Sequence, residues 1–175
     1  IVVTNKKKLA EKIRMLGNYS YKIKYHHEYQ GNNSRLDELQ AGFLRAKLPY
    51  LDKWNKERNR IAERYLSGLI NPCIKLPVPT SEDYYNVWHL FVLQCSSRNH
   101  FQRYLTECGI GTNIHYPIPM HYQNAYKNLK ISEGALPVCE KLSKEIISIP
   151  IYYGMSDQEI QYVIDMINNY DGSNQ

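Results

Sequence analysis

No run of about 18 consecutive apolar residues occurs in the 175-residue sequence, and no charged-then-apolar leader opens it. Neither a helical membrane span nor a signal peptide is therefore expected, and the expected setting is cytoplasmic. Cysteine is sparse: Cys73, Cys95, Cys108 and Cys139 stand far apart, without the short paired spacings of zinc sites. Free thiols in a reducing compartment and no metal site follow. There is no internal repeat. Phenylalanine (3) and tryptophan (2) are few beside 16 tyrosines. Such polar-tipped aromatics suit an interface or a carbohydrate-contacting surface, and equally partly buried structural positions.

Acidic residues are outnumbered, giving a net charge of +5, and the basic ones crowd early at Lys6 to Lys8, Lys12, Arg14, Lys22 and Lys24. A phosphate-bearing partner and a merely solvated helix face are both compatible with this pattern. A non-catalytic regulatory or nucleic-acid-binding module is the alternative reading, with a plain dimerisation module beside it. No stacking-aromatic motif accompanies the charge, which speaks against nucleic acid.

The most structured wording is Gly31-Asn32-Asn33-Ser34-Arg35-Leu36-Asp37-Glu38-Leu39-Gln40-Ala41. Glycine and two asparagines supply turn chemistry, and Ser34 with Asp37 three residues on has capping-box spacing. Leu36, Leu39, Phe43, Leu44, Leu48 and Leu51 then recur at helical spacing, and past Pro49 Trp54, Ile61, Ala62, Tyr65 and Leu66 carry the apolar face onward as core or dimer contact. The pattern places Asn33 and Arg35 at a helix entrance, where free N–H groups and the dipole favour an anion. Plain capping by Asn33, and a surface ion pair of Arg35 with Asp37 or Glu38, are the alternatives.

Elsewhere the pattern predicts a short β-type run at residues 1–4 and a helix capped by Asn5, ending at Leu16 before Gly17-Asn18. A loop follows over 19–32, whose Tyr21, Tyr25, His26, His27 and Tyr29 either line a pocket or form surface. Pro49 should bend or break the long helix over 36–69 near Arg45 to Leu48. Asn71-Pro72 and the Pro77-x-Pro79 segment should form an extended linker. Strands are expected at Val87 to Gln94, Thr112 to His115 and Ile146 to Ile149. In the first of these, His89 should face away from Trp88. Helices are expected near Arg98 to Cys108, and after Ser156 with Glu159 as a capping box. The fold class is α+β, a small mostly antiparallel sheet packed with helices.

Gly31-x-Asn33-x-Arg35 followed by Glu38-x-Gln40-Ala41 resembles the DegT/DnrJ/StrS family of nucleotide-sugar aminotransferases. Val87-Trp88-His89-Leu90-Phe91 agrees in order, as does Gly109-Ile110-Gly111-Thr112 running into His115-Tyr116-Pro117-Ile118-Pro119-Met120-His121. The match is to the C-terminal half of such an enzyme. The resemblance implies residues 1–35 as a remnant of the large cofactor domain with its connecting loop, 36–170 as the small domain, and 171–175 as a frayed tail. It implies pyridoxal 5'-phosphate as cofactor, a nucleotide sugar and an amino-acid donor, glutamate, as substrates, and a homodimer with shared active sites. The wording is most like members that aminate 3-keto-6-deoxy sugars on thymidine diphosphate. Asn33 would reach the partner subunit's cofactor phosphate, with Arg35 as the nearby cation. His115, Tyr116 and His121 would contact the substrate. No lysine here stands in the family's Schiff-base context, so no catalytic residue is expected in this chain, and it should be inactive alone. Gly42 departs from the family's usual alanine.

Overall fold

The computed structural model describes residues 2–78 and 83–172. The chain divides into two compact units, residues 1–50 and 51–175.

In the first unit α1 (Lys7–Leu16) begins after Lys6 and has no side-chain cap, because Thr4 rather than Asn5 meets its start, accepting the Lys6 N–H at 3.1 Å. The expected strand at its head is absent over Val2–Thr4, where no partner strand supplies a ladder; Ile1 lies outside the described residues. The segment read as a loop contains an antiparallel hairpin, β1 (Tyr21–Ile23) with β2 (His26–His27). Its sequence hid the turns, since Tyr19, Ser20 and Tyr25 take the left-handed backbone that usually signals glycine.

The motif segment is where the structure departs most from the expected cap. The Ser34 N–H donates to the Gly17 carbonyl at 2.8 Å, and Asn33 bridges to Asn18. These bonds hold 32–35 extended, so α2 (Glu38–Lys47) starts later, with Asp37 at its cap position and no Ser34–Asp37 capping box. Asn33 and Arg35 consequently stand on the extended approach, not at the helix entrance. Gly31 is sterically required: a Cβ there would lie 2.1 Å from Ser20 Oγ and 2.7 Å from the Leu16 carbonyl. Pro49 breaks the helix as expected, into a 3₁₀ turn at Leu48–Tyr50.

The second unit holds the main core. Its elements are α3 (Leu51–Gly68), β3 (Phe91–Gln94), α4 (Arg98–Glu107), α5 (Pro137–Glu145), β4 (Ile146–Ile149) and α6 (Asp157–Asn168). β3 and β4 pair antiparallel with Phe91 opposite Ile149 and Leu93 opposite Ile147. Those side chains meet Ile61 and Tyr65 of α3, Phe101 and Leu105 of α4, and Ile160, Ile164 and Ile167 of α6. α3 and α6 approach closely at Gly68, where a Cβ would lie 2.9 Å from Ile164 Cδ1. The Tyr65 hydroxyl donates to the Pro150 carbonyl at 2.8 Å, and burial first of all pushes its pKa up. The expected capping box is present at α6: Ser156 Oγ accepts the Glu159 N–H, and the Glu159 carboxylate accepts the Ser156 N–H at 2.8 Å.

Three strand and linker expectations shrink. Trp88 is buried from a left-handed backbone rather than a strand, so β3 starts only at Phe91 and His89 is exposed for that reason, not by alternation. Thr112 to His115 reduces to a single bridge, Asn113 with Ser148. The helical region ends at Gly68, before Asn71-Pro72; Pro79 of the expected linker, and residues 173–175 of the expected frayed tail, lie outside the described residues. α5 was not foreseen.

Candidate active-site surfaces

Asn33 and Arg35 are both exposed and joined to each other, Arg35 Nε donating to Asn33 Oδ1 at 3.0 Å. The guanidinium lies over the Tyr19 ring, 5.8 Å from its centroid, a stacking that steadies a long side chain. Asn33 accepts through oxygen, so its amide N–H groups remain as donors beside the other guanidinium nitrogens. An exposed fork of neutral and cationic donors is suited to a phosphate or carboxylate. The ion pair of Arg35 with Asp37 or Glu38 is absent among the described residues.

In the second unit, the loop after Asn113 and helix α5 enclose an apolar groove of about 620 Å³. Tyr116, Ile118 and Met120 line it from the loop, and Leu136, Val138 and Leu142 from the helix; Tyr116 is 72% exposed. His115 stands at its wall and also lines a smaller pocket of about 350 Å³. Its Nδ1 lies 2.9 Å from Ser148 Oγ. His121 is placed differently: its side chain is only 4% exposed, packed on the Tyr122 ring at 4.3 Å, with Nε2 3.3 Å from Glu140 Oε1.

Glu140 is the residue that sequence reasoning missed. Its carboxylate accepts the Gly134 N–H at 2.9 Å and the Leu136 N–H at 3.1 Å, tying the loop to the first turn of α5. Burial works to raise its pKa, but the Leu136 and Gly134 N–H groups, with Tyr122 and His121, together hold it below the usual carboxylate range. Burial, then Glu140, pushes the Tyr122 hydroxyl up. The available signal was Pro137, a residue favoured at the first position of a helix, ahead of the apolar pair Val138 and Leu142.

The first unit thus presents an exposed donor fork, and the second a proline-stiffened loop beside an apolar groove. The sequence pattern of the DegT/DnrJ/EryC1/StrS aminotransferase family matches residues 1–168. The chain belongs to that family. Among its relatives is the erythromycin biosynthesis sensory transduction protein EryC1 of Saccharopolyspora erythraea, 48% identical and matching 93% of this chain and 44% of that protein. The dTDP-3-amino-3,6-dideoxy-alpha-D-galactopyranose transaminase of Aneurinibacillus thermoaerophilus is 44% identical over 97% of this chain and 46% of its own length. The crystal structure of S. venezuelae DesV superposes with a TM-score of 0.88 at 43% identity, covering 95% of this chain and 45% of that one. This member of the DegT/DnrJ/EryC1/StrS family thus spans less than half the length of the relatives it matches, and its helices with small antiparallel sheets are an α+β part of the aminotransferase fold. No helix among its described residues is long and apolar enough to cross a membrane.

Proposed function

We propose that this chain is the C-terminal half of a pyridoxal-phosphate-dependent aminotransferase that moves an amino group from glutamate to a keto-deoxy nucleotide sugar, a dTDP-3-keto-6-deoxyhexose. Residues 1–35 belong to the large domain and its connecting loop, and 36–170 form the small domain. The observation that carries the reading is the Asn33–Arg35 pair, an exposed donor set in which Arg35 makes no ion pair among the described residues. Those groups fit a phosphate monoester, and in a homodimer they serve the partner subunit's site. α2 supports the dimer, since its Leu39, Phe43 and Leu44 are exposed apolar residues at helical spacing.

When bound, pyridoxal phosphate supplies the electron sink that amino transfer needs. What this chain contributes is holding. Asn33 donates from its amide and Arg35 from its guanidinium to the phosphate, fixing cofactor orientation through charge-assisted hydrogen bonds. Tyr116 offers its hydroxyl at the mouth of the groove to the nucleotide sugar. His115 closes the wall, and His121 acts from behind through Glu140. The apolar lining of the groove would be covered by a bound ligand. Lacking the lysine, the fragment has no turnover of its own.

The test is turnover by the full-length gene product with pyridoxal phosphate, glutamate and a dTDP-3-keto-6-deoxyhexose, beside the 175-residue chain. Amination by the former and none by the latter is expected. Amination by the short chain alone contradicts the assignment of the chemistry elsewhere.

A further inference from the structure

His115 has both ring nitrogens engaged by residues to which no role has been given. Asn113 and Ser148 face each other in a backbone bridge, the Asn113 N–H donating to the Ser148 carbonyl at 3.1 Å and the Ser148 N–H to the Asn113 carbonyl at 2.7 Å. Their side chains converge on His115, with Ser148 Oγ 2.9 Å from Nδ1 and Asn113 Nδ2 3.2 Å from Nε2. A hydroxyl donates or accepts, so Ser148 by itself leaves the ring tautomer open. Asn113 does not. Its Oδ1 accepts the Ile114 N–H at 2.8 Å, which turns the amide nitrogen towards His115, and an amide nitrogen only donates. Nε2 must therefore present its lone pair, and the proton sits on Nδ1, donated to Ser148 Oγ. Ser148 is buried, at 5% exposure, so this hydroxyl has little water to exchange for the imidazole.

We infer that Asn113 and Ser148 are positioning residues that hold the His115 imidazole in its Nδ1-protonated tautomer, leaving the Tyr116 hydroxyl as the polar contact for the ligand at that end of the groove. The inference deepens the nucleotide-sugar reading of this loop and rests on it. The imidazole so held has both nitrogens engaged and none free to move a proton to or from the ligand. It serves as a fixed wall between the groove and the smaller pocket. The Tyr116 ring meets it edge-on at 5.6 Å, so fixing the imidazole also fixes the base from which Tyr116 reaches out.

The experiment is imidazole nitrogen-15 spectroscopy of the histidine-labelled chain, at a pH well above the ordinary histidine range. The His115 signals are assigned as those that vanish in His115→Gln. The expected spectrum has a protonated Nδ1 and a lone-pair Nε2. Asn113→Asp places an acceptor against Nε2 and should move the proton there, with the Ser148 hydroxyl turning to donate to Nδ1. Ser148→Thr retains the hydroxyl and should keep the wild-type signature. A wild-type proton on Nε2, or an unchanged tautomer in Asn113→Asp, overturns the inference. In the full-length protein Tyr116→Phe should raise KM for the nucleotide sugar about tenfold with little change in kcat, as loss of one hydrogen bond to the ligand implies. An unchanged KM overturns the part assigned to Tyr116. A full-length protein without aminotransferase turnover, together with the Nδ1–H signature, overturns the functional reading and upholds the tautomer.

Discussion

α2 and α6 have the same kind of sequence and opposite fates. Each carries apolar residues at three-and-four spacing, yet Ile160, Val163, Ile164 and Ile167 of α6 are buried while no residue of α2 is. Leu39 and Phe43 remain 78% and 67% exposed. Periodicity specifies which face a helix will bury, and says nothing of whether the covering surface lies in the same chain. In the unit over 51–175 the cover is present, and the two strands close a core with α3, α4 and α6. In the unit over 1–50 an apolar stripe meets water, and unpartnered surface of this kind marks an interaction site.

The contrast can be broken most forcefully by truncation. Ile160→Ala should cost about 2–5 kcal/mol of unfolding free energy, since it removes a fully buried side chain. Phe43→Ala should change the stability of this chain by less than about 0.5 kcal/mol. Denaturant melts of the two variants measure the difference; equal losses would mean that α2 is covered after all.

Next comes Gly31→Ala, in the unit with little core. The Leu16 carbonyl and the Ser20 backbone nitrogen, at 2.7 and 2.8 Å from the added Cβ, cannot swing aside as a side-chain tip can. A loss of about 1–3 kcal/mol, as in overpacking, is expected. Hydrogen exchange at the Asn32 and Ser34 N–H groups, which bond the end of α1, should report it.

Acid should separate the two units. Glu140, Asp157 and Glu159 all lie in the second and all have lowered pKa values. Asp157 is lowered chiefly by the Arg60 guanidinium and Glu159 by the Ser156 N–H. For Glu140 burial opposes the shift and the loop N–H groups outweigh it. A carboxylate bound more strongly in the folded state contributes stability that is fully present above its ordinary value. That contribution is lost as pH falls through the lowered folded value. Thermal midpoints should accordingly hold steady above the ordinary carboxylate range and decline below it. Glu140→Gln and Asp157→Asn should flatten the decline, and an unaltered acid profile in both variants would contradict these attributions.

The smallest effect differs between the two units. At Gly42 an added Cβ meets nothing within 4 Å, and Gly42→Ala should stabilise α2 by about 0.5–1 kcal/mol. At Gly68 the same change crowds Ile164, so it should yield no gain. Parallel melts of the two alanine variants check this.

Sequence alone carried the fold well where local chemistry and tertiary packing agreed. The Ser156–Glu159 box, the Pro49 break and the strand ended by Pro150 all depend on residues a few positions apart. It failed where distant backbone decided the outcome. Ser34 had the spacing of a cap, but the Gly17 carbonyl claimed its N–H and delayed α2 by several residues. Trp88 looked like a strand residue and is buried from a left-handed backbone. Of the candidate site, Asn33 and Arg35 were legible through their motif and His115 and Tyr116 through their proline-flanked loop. Glu140 was not, because its role depends on folding back onto Gly134, Leu136 and His121.

The most direct measurement is the affinity of the full-length gene product for pyridoxal phosphate with Asn33→Ala in place. Loss of a charge-assisted contact to the phosphate predicts a dissociation constant raised on the order of 10- to 100-fold. Thermal stability should be nearly unchanged, because Asn33 is exposed. An affinity equal to that of the wild type would contradict the assignment of this surface to the cofactor.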